Sequence, residues 1–445
     1  MLDVNDLVRN CIKQATSLDN DGFKHAFVSI TLPVQATFRL LPPAQQDHAY
    51  WCRPGKEYAA LGLGKLFYQT AQGSQRFKLL QELYLQYCRQ WQVAPTAYTA
   101  FAFDAEDTMS DEWAEFPNAI LCVPRLLLEE DHGNKSITFN LELNADLPSQ
   151  IDDIRQLLET CFEGAQAVKK TDAPVSYTAD DADNKNDWML LAGKGIDAIR
   201  QQEFKKLVVS RRHVIQAEYP DASLLLSALA ERYPACTIIS YQDNGTQLIA
   251  ASPERLLSLN AGYLLSDAIG GTLTDNEIKQ GTDLSSYHSA HAAKLMEEHT
   301  IIVEDICQRL EPVCQTLTLP TAPQLKKLHN IYHLETSISG TLGTHQTVLS
   351  LVEKLHPTPA IAGFPGTKSV NWLRDNEKHN RGWYAGAFGC MSGDQSGEVT
   401  VLLRCALINK TQINVYAGAG LVAESDTEME WQETELKMNA ILDLL

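Results

Sequence analysis

The last forty residues of this 445-residue chain constrain it most, because they run from a strand directly into a helix whose faces differ in chemistry. Ile413–Val422 alternates and is rich in β-branched residues, which predicts a strand, and Gly418 and Gly420 let another group approach its backbone closely. Ser425 with Glu428 three positions on reads as a capping box that starts a helix at about Asp426. Trp431, Thr434, Met438, Ile441, Leu442 and Leu445 then recur at helical spacing as a buried stripe, while Glu430, Glu433 and Lys437 share another face. Two carboxylates beside exposed backbone amides can hold a hard divalent cation next to a bound anion; a solvated Glu433–Lys437 pair is the alternative reading. Gly418, Gly420 and Ala423 match the dinucleotide fingerprint, but no second strand or ribose-binding acid follows, which argues against a nicotinamide site.

Size and charge narrow the classes further. With 56 acidic and 37 basic residues the net charge is −19, so the surface repels nucleic acid and anionic membranes. The same field disfavours an anionic substrate unless a metal or a local positive site receives it. No apolar run approaches a membrane span, and the first residues, Met1 to Asp6, lack the basic and apolar regions of a secretion signal. Ten cysteines are scattered without a C-x-x-C pair, which reads as reduced thiols in a cytoplasmic protein and excludes a zinc-ligand spacing.

Residues 1–185 carry no chemical motif, and are expected to complete the sheet core of a catalytic region spanning 188–445. Strands are predicted at 27–32 and 136–141, helices at 77–93 and 151–162, and a polar, acidic linker at 171–186. From Trp188 a helix to Gln202 precedes a strand at 204–216. Further strands are predicted at 237–241, 248–251, 263–266, 398–408 and 413–421, with helices at 290–310, 348–355, 368–376 and 427–444. Strands run in groups among separate helices, which predicts an α+β fold with a large antiparallel β-sheet core flanked by helices.

Several polar residues stand where burial would change their chemistry. Lys206 shares a strand face with Phe204 and Val208, and desolvation there favours the uncharged amine that can act as a base; a snorkelling lysine is the alternative. Glu254 projects from the Pro253 corner, or else pairs with Arg255. Glu298 has Ile301 and Ile302 as next-turn neighbours, a costly place for a carboxylate unless it is paired or coordinated, so it is a candidate metal partner for Glu433. Arg404, in an apolar strand, needs a carboxylate from substrate or protein. His333 and His356 are loop groups without metal-ligand spacing.

Taken in order, the segments 206–211, 252–255, 268–272, 298–299, 333–336, 356–360, 381–386, 403–404, 418–420 and 430–434 resemble those of the chorismate-utilising enzymes. Within that family the residues are similar to those of isochorismate synthases, relatives of anthranilate synthase component I and salicylate synthase. Ammonia-using members usually carry Gln where this chain has Lys206, aminodeoxychorismate synthases a nucleophilic Lys where it has Gly270, and salicylate synthases Thr where it has Ala360. The long N-terminal region looks more like the menaquinone-pathway form than the siderophore form.

The resemblance implies the chorismate-utilising fold and an Mg²⁺-dependent conversion of chorismate to isochorismate. By that likeness, Lys206 deprotonates a water attacking C2 and Glu254 protonates the departing C4 hydroxyl. Glu298 and Glu433, supported by Glu430, would hold Mg²⁺ against the ring carboxylate. Tyr384 and Arg404, with the backbone around Gly418 and Gly420, would take the enolpyruvyl carboxylate; Gly271 and Thr272 would contact the ring carboxylate. His333 and Ala360 would line the ring site and Lys437 the metal shell, and no glutamine amidotransferase subunit is expected. Departures from the family pattern are Asp267, Leu295, Ser369, Ala387 and Cys390, none of which removes a catalytic group.

Overall fold

The computed structural model describes residues 4–20, 25–35, 40–43, 46–143, 145–164, 181–217, 222–274, 278, 290–329 and 331–445. Among them nineteen strands join in one sheet system, with antiparallel pairing throughout the ladders. The strand Thr246–Ser252 is buried at every position, as is most of Thr237–Asp243, because both faces of the sheet are covered. Along Thr246–Ser252, Leu248 and Ala250 enter one core while Ile249 and Ala251 enter a second. Cys405 and Leu407 likewise part from Ala406 and Ile408, so successive side chains feed two different cores. An antiparallel strand covered on both faces loses its polar alternation and reads as a continuous apolar run.

Two pairings position the chemistry. The strand Lys206–Gln216 runs antiparallel to Gln412–Leu421, setting Val208 opposite Gly420 and Ser210 opposite Gly418. The strand Tyr263–Thr274 pairs with Ile331–Leu342, and a register shift between Gly270 and Thr272 brings Thr272 opposite His333. Helix Ala290–Leu310 packs on Tyr263–Thr274, and helix Thr427–Leu442 on Gln412–Leu421. Strands from early in the chain enter the same sheet: His48–Arg53 pairs with Thr237–Asp243, and Ala97–Phe101 with Ala387–Met391.

Four local expectations are corrected, the first being His333, which lies within the strand Ile331–Leu342 and not on a loop. The strand predicted at 398–408 is broken. Gly397–Val401 pairs with Arg255–Asn260 and Ala387–Met391, whereas Cys405–Ile408 pairs with Gln412–Leu421 and Thr246–Ser252. The chain changes partners through Arg404, whose φ of 49° lies in the left-handed region. The helix predicted from Trp188 starts at Asp181, inside the stretch read as a linker; residues 171–180 lie outside those described. Its polar first turns have tertiary partners that periodicity does not register: Asn184 donates to the Arg212 carbonyl, Lys185 pairs with Glu428 and Asp187 with Lys378. The C-terminal helix is capped by Asp426, which accepts from the N–H groups of Glu428 and Met429, and Ser425 is instead engaged by the Val422 N–H.

A buried ion pair ties the loop after helix Gly366–Asn376 to the central strands. Arg381 binds both oxygens of Glu377 and donates to the Val208 and Ile361 carbonyls, while Glu377 accepts from the Ser210 N–H and hydroxyl. Both side chains are nearly inaccessible, at 3% and 4% exposure. Removing one partner strands the other charge, so Arg381→Met should cost about 3–5 kcal/mol of stability, read by urea denaturation.

Candidate active site

A cleft of about 720 Å³ opens where the strand break, the Gly271 bulge and the C-terminal helix meet. Of the residues singled out above, Glu254, Gly271, Thr272, Glu298, His333, Ala360, Tyr384, Arg404, Gly418, Gly420, Glu433 and Lys437 all line it. Lys206 and Glu430 stand just behind that wall. Lys206, 1% exposed, pairs with Glu298 at 3.0 Å. Glu430 is 2% exposed and pairs with Lys294. Residues that fall far apart in sequence are therefore gathered into one neighbourhood.

The paired glycines make room for side chains. A Cβ on Gly418 would stand 2.9 Å from the Tyr384 hydroxyl, and one on Gly420 would press on Glu298 and stand 3.1 Å from Lys206 Cε. The Gly418 carbonyl accepts from Lys437 at 2.9 Å, and the same ammonium pairs with Glu433 at 2.6 Å. Glu433 also accepts from the Thr272 hydroxyl at 3.0 Å. Burial opposes its ionisation, but Lys437 and Thr272 more than offset that and hold its carboxyl below the usual range. Burial, reinforced by the Glu433 charge, pushes Glu430 up to about 7.

Arg404 reaches His333, with its Nη2 2.8 Å from the imidazole Nε2. A guanidinium only donates, so Nε2 accepts and the proton sits on Nδ1, which donates to the Gly271 carbonyl at 3.2 Å. Burial, then the Arg404 charge, lowers the imidazole to about 3, so it stays neutral. Arg404 also approaches the Cys236 thiol at 3.8 Å. Among the described residues no carboxylate pairs with this guanidinium, which lines the cleft with a neutral imidazole as its partner.

Glu254 behaves differently from every other carboxyl in the cleft. The alternative of an Arg255 partner is excluded, because Arg255 binds both oxygens of Asp267 at 2.9 Å. Glu254 is 2% exposed and, among the described residues, its Oε1 has no hydrogen-bond partner. Burial lifts its carboxyl to about 8, with Lys206 pulling it down and Asp267 pushing it up. At neutral pH it therefore keeps its proton. Sequence reasoning missed Tyr416 in this wall: it stacks on Tyr384 at 5.4 Å and donates to Glu112 at 3.0 Å. Its position in the alternating strand carried no sign of that role.

The raised Glu254 carboxyl has a consequence for stability. A carboxyl raised in the folded state contributes stability below its unfolded value that is lost as pH rises through the folded one. The wild-type protein should therefore weaken between about pH 4.5 and 8 relative to Glu254→Gln. Thermal denaturation of both proteins at pH 5 and pH 8 measures this; an unchanged difference between them contradicts the assignment.

Comparison with known proteins places this geometry in a family. The family described as chorismate binding enzyme matches residues 11–445. Isochorismate synthase MenF of Bacillus subtilis is 26% identical, covering 89% of this chain and 87% of the relative. The salicylate biosynthesis isochorismate synthase of Pseudomonas aeruginosa is 28% identical over 98% of this chain and 92% of that protein. The solved structure of MenF, the menaquinone-specific isochorismate synthase of Escherichia coli, aligns with a TM-score of 0.77 at 26% identity, covering 97% of this chain and 99% of that one. Anthranilate synthase component I of Streptococcus pneumoniae shares the fold, with a TM-score of 0.69 at 17% identity over 92% and 95% of the two chains. The chain belongs to the chorismate-binding enzyme family.

Proposed function

We propose that this protein is an isochorismate synthase, a hydroxymutase that exchanges the C4 hydroxyl of chorismate for a hydroxyl at C2. The observation that carries the reading is a buried Glu254 with an unpartnered Oε1, lining the same cleft as Glu298, which holds Lys206 at 3.0 Å. Water oxygen bonds to C2 as the ring double bonds shift and the C4–O bond breaks. Lys206 takes the water proton and Glu254 gives its own to the leaving hydroxyl, so no atom or proton is gained or lost overall. The acid is supplied in the right state by desolvation, and each such proton transfer contributes about 10² to 10⁴ in rate. Arg404, with Tyr384 beside it, receives the enolpyruvyl carboxylate, and Thr272 stands at the ring-carboxylate end next to Glu433.

Mg²⁺ is the proposed cofactor. Glu298, Glu430 and Glu433 all act on the Lys294 ammonium, and Glu430 is raised partly by Glu433, so like charges crowd together here. Among the described residues no three such groups are drawn into a ready cage; each glutamate holds a lysine instead: Lys206, Lys294 and Lys437. Hard carboxylate oxygens suit Mg²⁺, which keeps several waters and needs few protein ligands, so the donor set fits the ion. Bound there, it would supply positive charge for the ring carboxylate. Lys206 pairs with Glu298, so the proposed base and a proposed metal donor are in direct contact.

Menaquinone biosynthesis is the proposed pathway and the cytoplasm the proposed location; the full-length likeness to a menaquinone-specific enzyme supports the first. Among the described residues no helix is long and apolar enough to cross a membrane. Incubation with chorismate and Mg²⁺ should yield isochorismate without matching pyruvate; stoichiometric pyruvate would identify a salicylate synthase instead. Lys206→Ala should lose turnover and keep Mg²⁺-dependent chorismate binding, measured by calorimetry. Glu298→Gln and Glu433→Gln should each weaken Mg²⁺ binding, followed by tryptophan fluorescence, by at least the about 10–100-fold typical of losing an outer-shell partner.

A further inference from the structure

The peptide unit that carries Glu254 is pinned at both ends, and one of the pins is a lysine outside the cleft. Lys326, on the strand Gln324–Leu328, donates to the Pro253 carbonyl at 2.8 Å and pairs with Glu335 at 2.6 Å. The N–H of the same peptide, that of Glu254, donates to Ser252 Oγ at 3.3 Å. The Ser252 hydroxyl is itself fixed, donating to the Val401 carbonyl at 2.5 Å. The next peptide is held too, since the Glu254 carbonyl accepts from the Val401 N–H at 3.0 Å and from the Thr400 hydroxyl. A peptide is planar, so fixing its oxygen and its N–H fixes the direction in which the following side chain leaves.

That backbone is bound more firmly than the carboxyl it presents, whose Oε1 meets no partner among the described residues. We infer that Lys326 is a positioning residue for the Glu254 acid, aiming its carboxyl into the cleft through the Pro253 carbonyl. The inference rests on Glu254 being the proton donor of the proposed reaction. Lys326 also belongs to the charge field at Glu254, where it, Lys206 and Lys437 favour the carboxylate and Asp267 opposes them. Asp267 is in turn fixed by Arg255 and by the Ser337 hydroxyl at 2.9 Å. Removing the Lys326 charge therefore makes Glu254 hold its proton to higher pH, while removing its hydrogen bond frees the peptide to rotate.

The test measures kcat and KM for chorismate from pH 6 to 10 (roughly the span around a group near 8) at saturating Mg²⁺. The proteins are wild type, Lys326→Met, Lys326→Arg, Glu335→Gln and Glu254→Gln. Lys326→Met should lower kcat about tenfold or more, as loss of aim does, with KM within about twofold. Its alkaline limb should move upward by at least about half a pH unit. Lys326→Arg should restore both, and Glu335→Gln, which leaves the lysine charge in place, should not raise the limb. Wild-type kcat and limb in Lys326→Met, with Glu254→Gln inactive, overturn the positioning role alone. The same holds for a Lys326→Met loss that appears in thermal stability while limb and kcat stay put. Full turnover in Glu254→Gln removes the acid itself, and the inference with it.

Discussion

Burial of one carboxyl without a charge partner is the constraint on which the rest of the cleft depends. Glu298, Glu430 and Glu433 each hold a lysine, whereas among the described residues Glu254 forms no ion pair and its Oε1 meets no hydrogen-bond partner. A buried carboxyl so placed keeps its proton, because ionising it would leave a bare charge in a poor solvent. The surrounding cations then set how strongly it keeps that proton. Environment thus divides two carboxyls of the cleft, Glu433 held below the usual range by Lys437 and Thr272 and Glu254 raised by burial, which is the kind of division that acid–base chemistry at neutral pH needs.

The binding end of the cleft owes its form to a backbone irregularity. Where Gly397–Val401 hands over to Cys405–Ile408, Arg404 adopts φ 49°, a conformation that costs a non-glycine residue about 1–3 kcal/mol. The cost is offset by the hydrogen bonds of two ladders on either side. A straight strand would alternate Arg404 into one of the two apolar cores. The break instead delivers the guanidinium to His333, whose neutral tautomer is set by the Gly271 carbonyl at a second irregularity, the bulge between Gly270 and Thr272. Two departures from regular pairing together build the corner where the proposed anion-receiving groups meet.

Much of this was legible in the chain. The antiparallel sheet with flanking helices follows from grouped strands, and the resemblance of ten ordered segments pointed to the residues that the fold then gathers around one cleft. What escaped has physical causes. The broken strand at Arg404 reads as one strand because apolar composition persists across it while its hydrogen-bond partners change, and pairing is not written in composition. The helix from Asp181 was hidden because its first turns are fastened by ion pairs and a side-chain hydrogen bond, not by an apolar stripe. Glu254 was weighed against Arg255 because neighbours in sequence look like partners, yet their side chains diverge at the corner and Arg255 reaches Asp267 across the adjoining strand. Tyr416 escaped for a similar reason: its partner Glu112 is remote in the chain.

Early strands bear on how this catalyst could be trimmed. Ala387–Met391 is flanked by Gly397–Val401 on one side and by Ala97–Phe101 on the other; Thr237–Asp243 is flanked by Thr246–Ser252 and His48–Arg53. Cutting the chain back to its motif-bearing segment would strip one neighbour from each of these inner strands. Two rows of bare amide and carbonyl groups, set in apolar sequence, would then face water and invite other chains to add on. A shortened form would keep every reactive group and still be expected to clump, so the segment before residue 188 serves as a seal on the sheet and not as a detachable appendage.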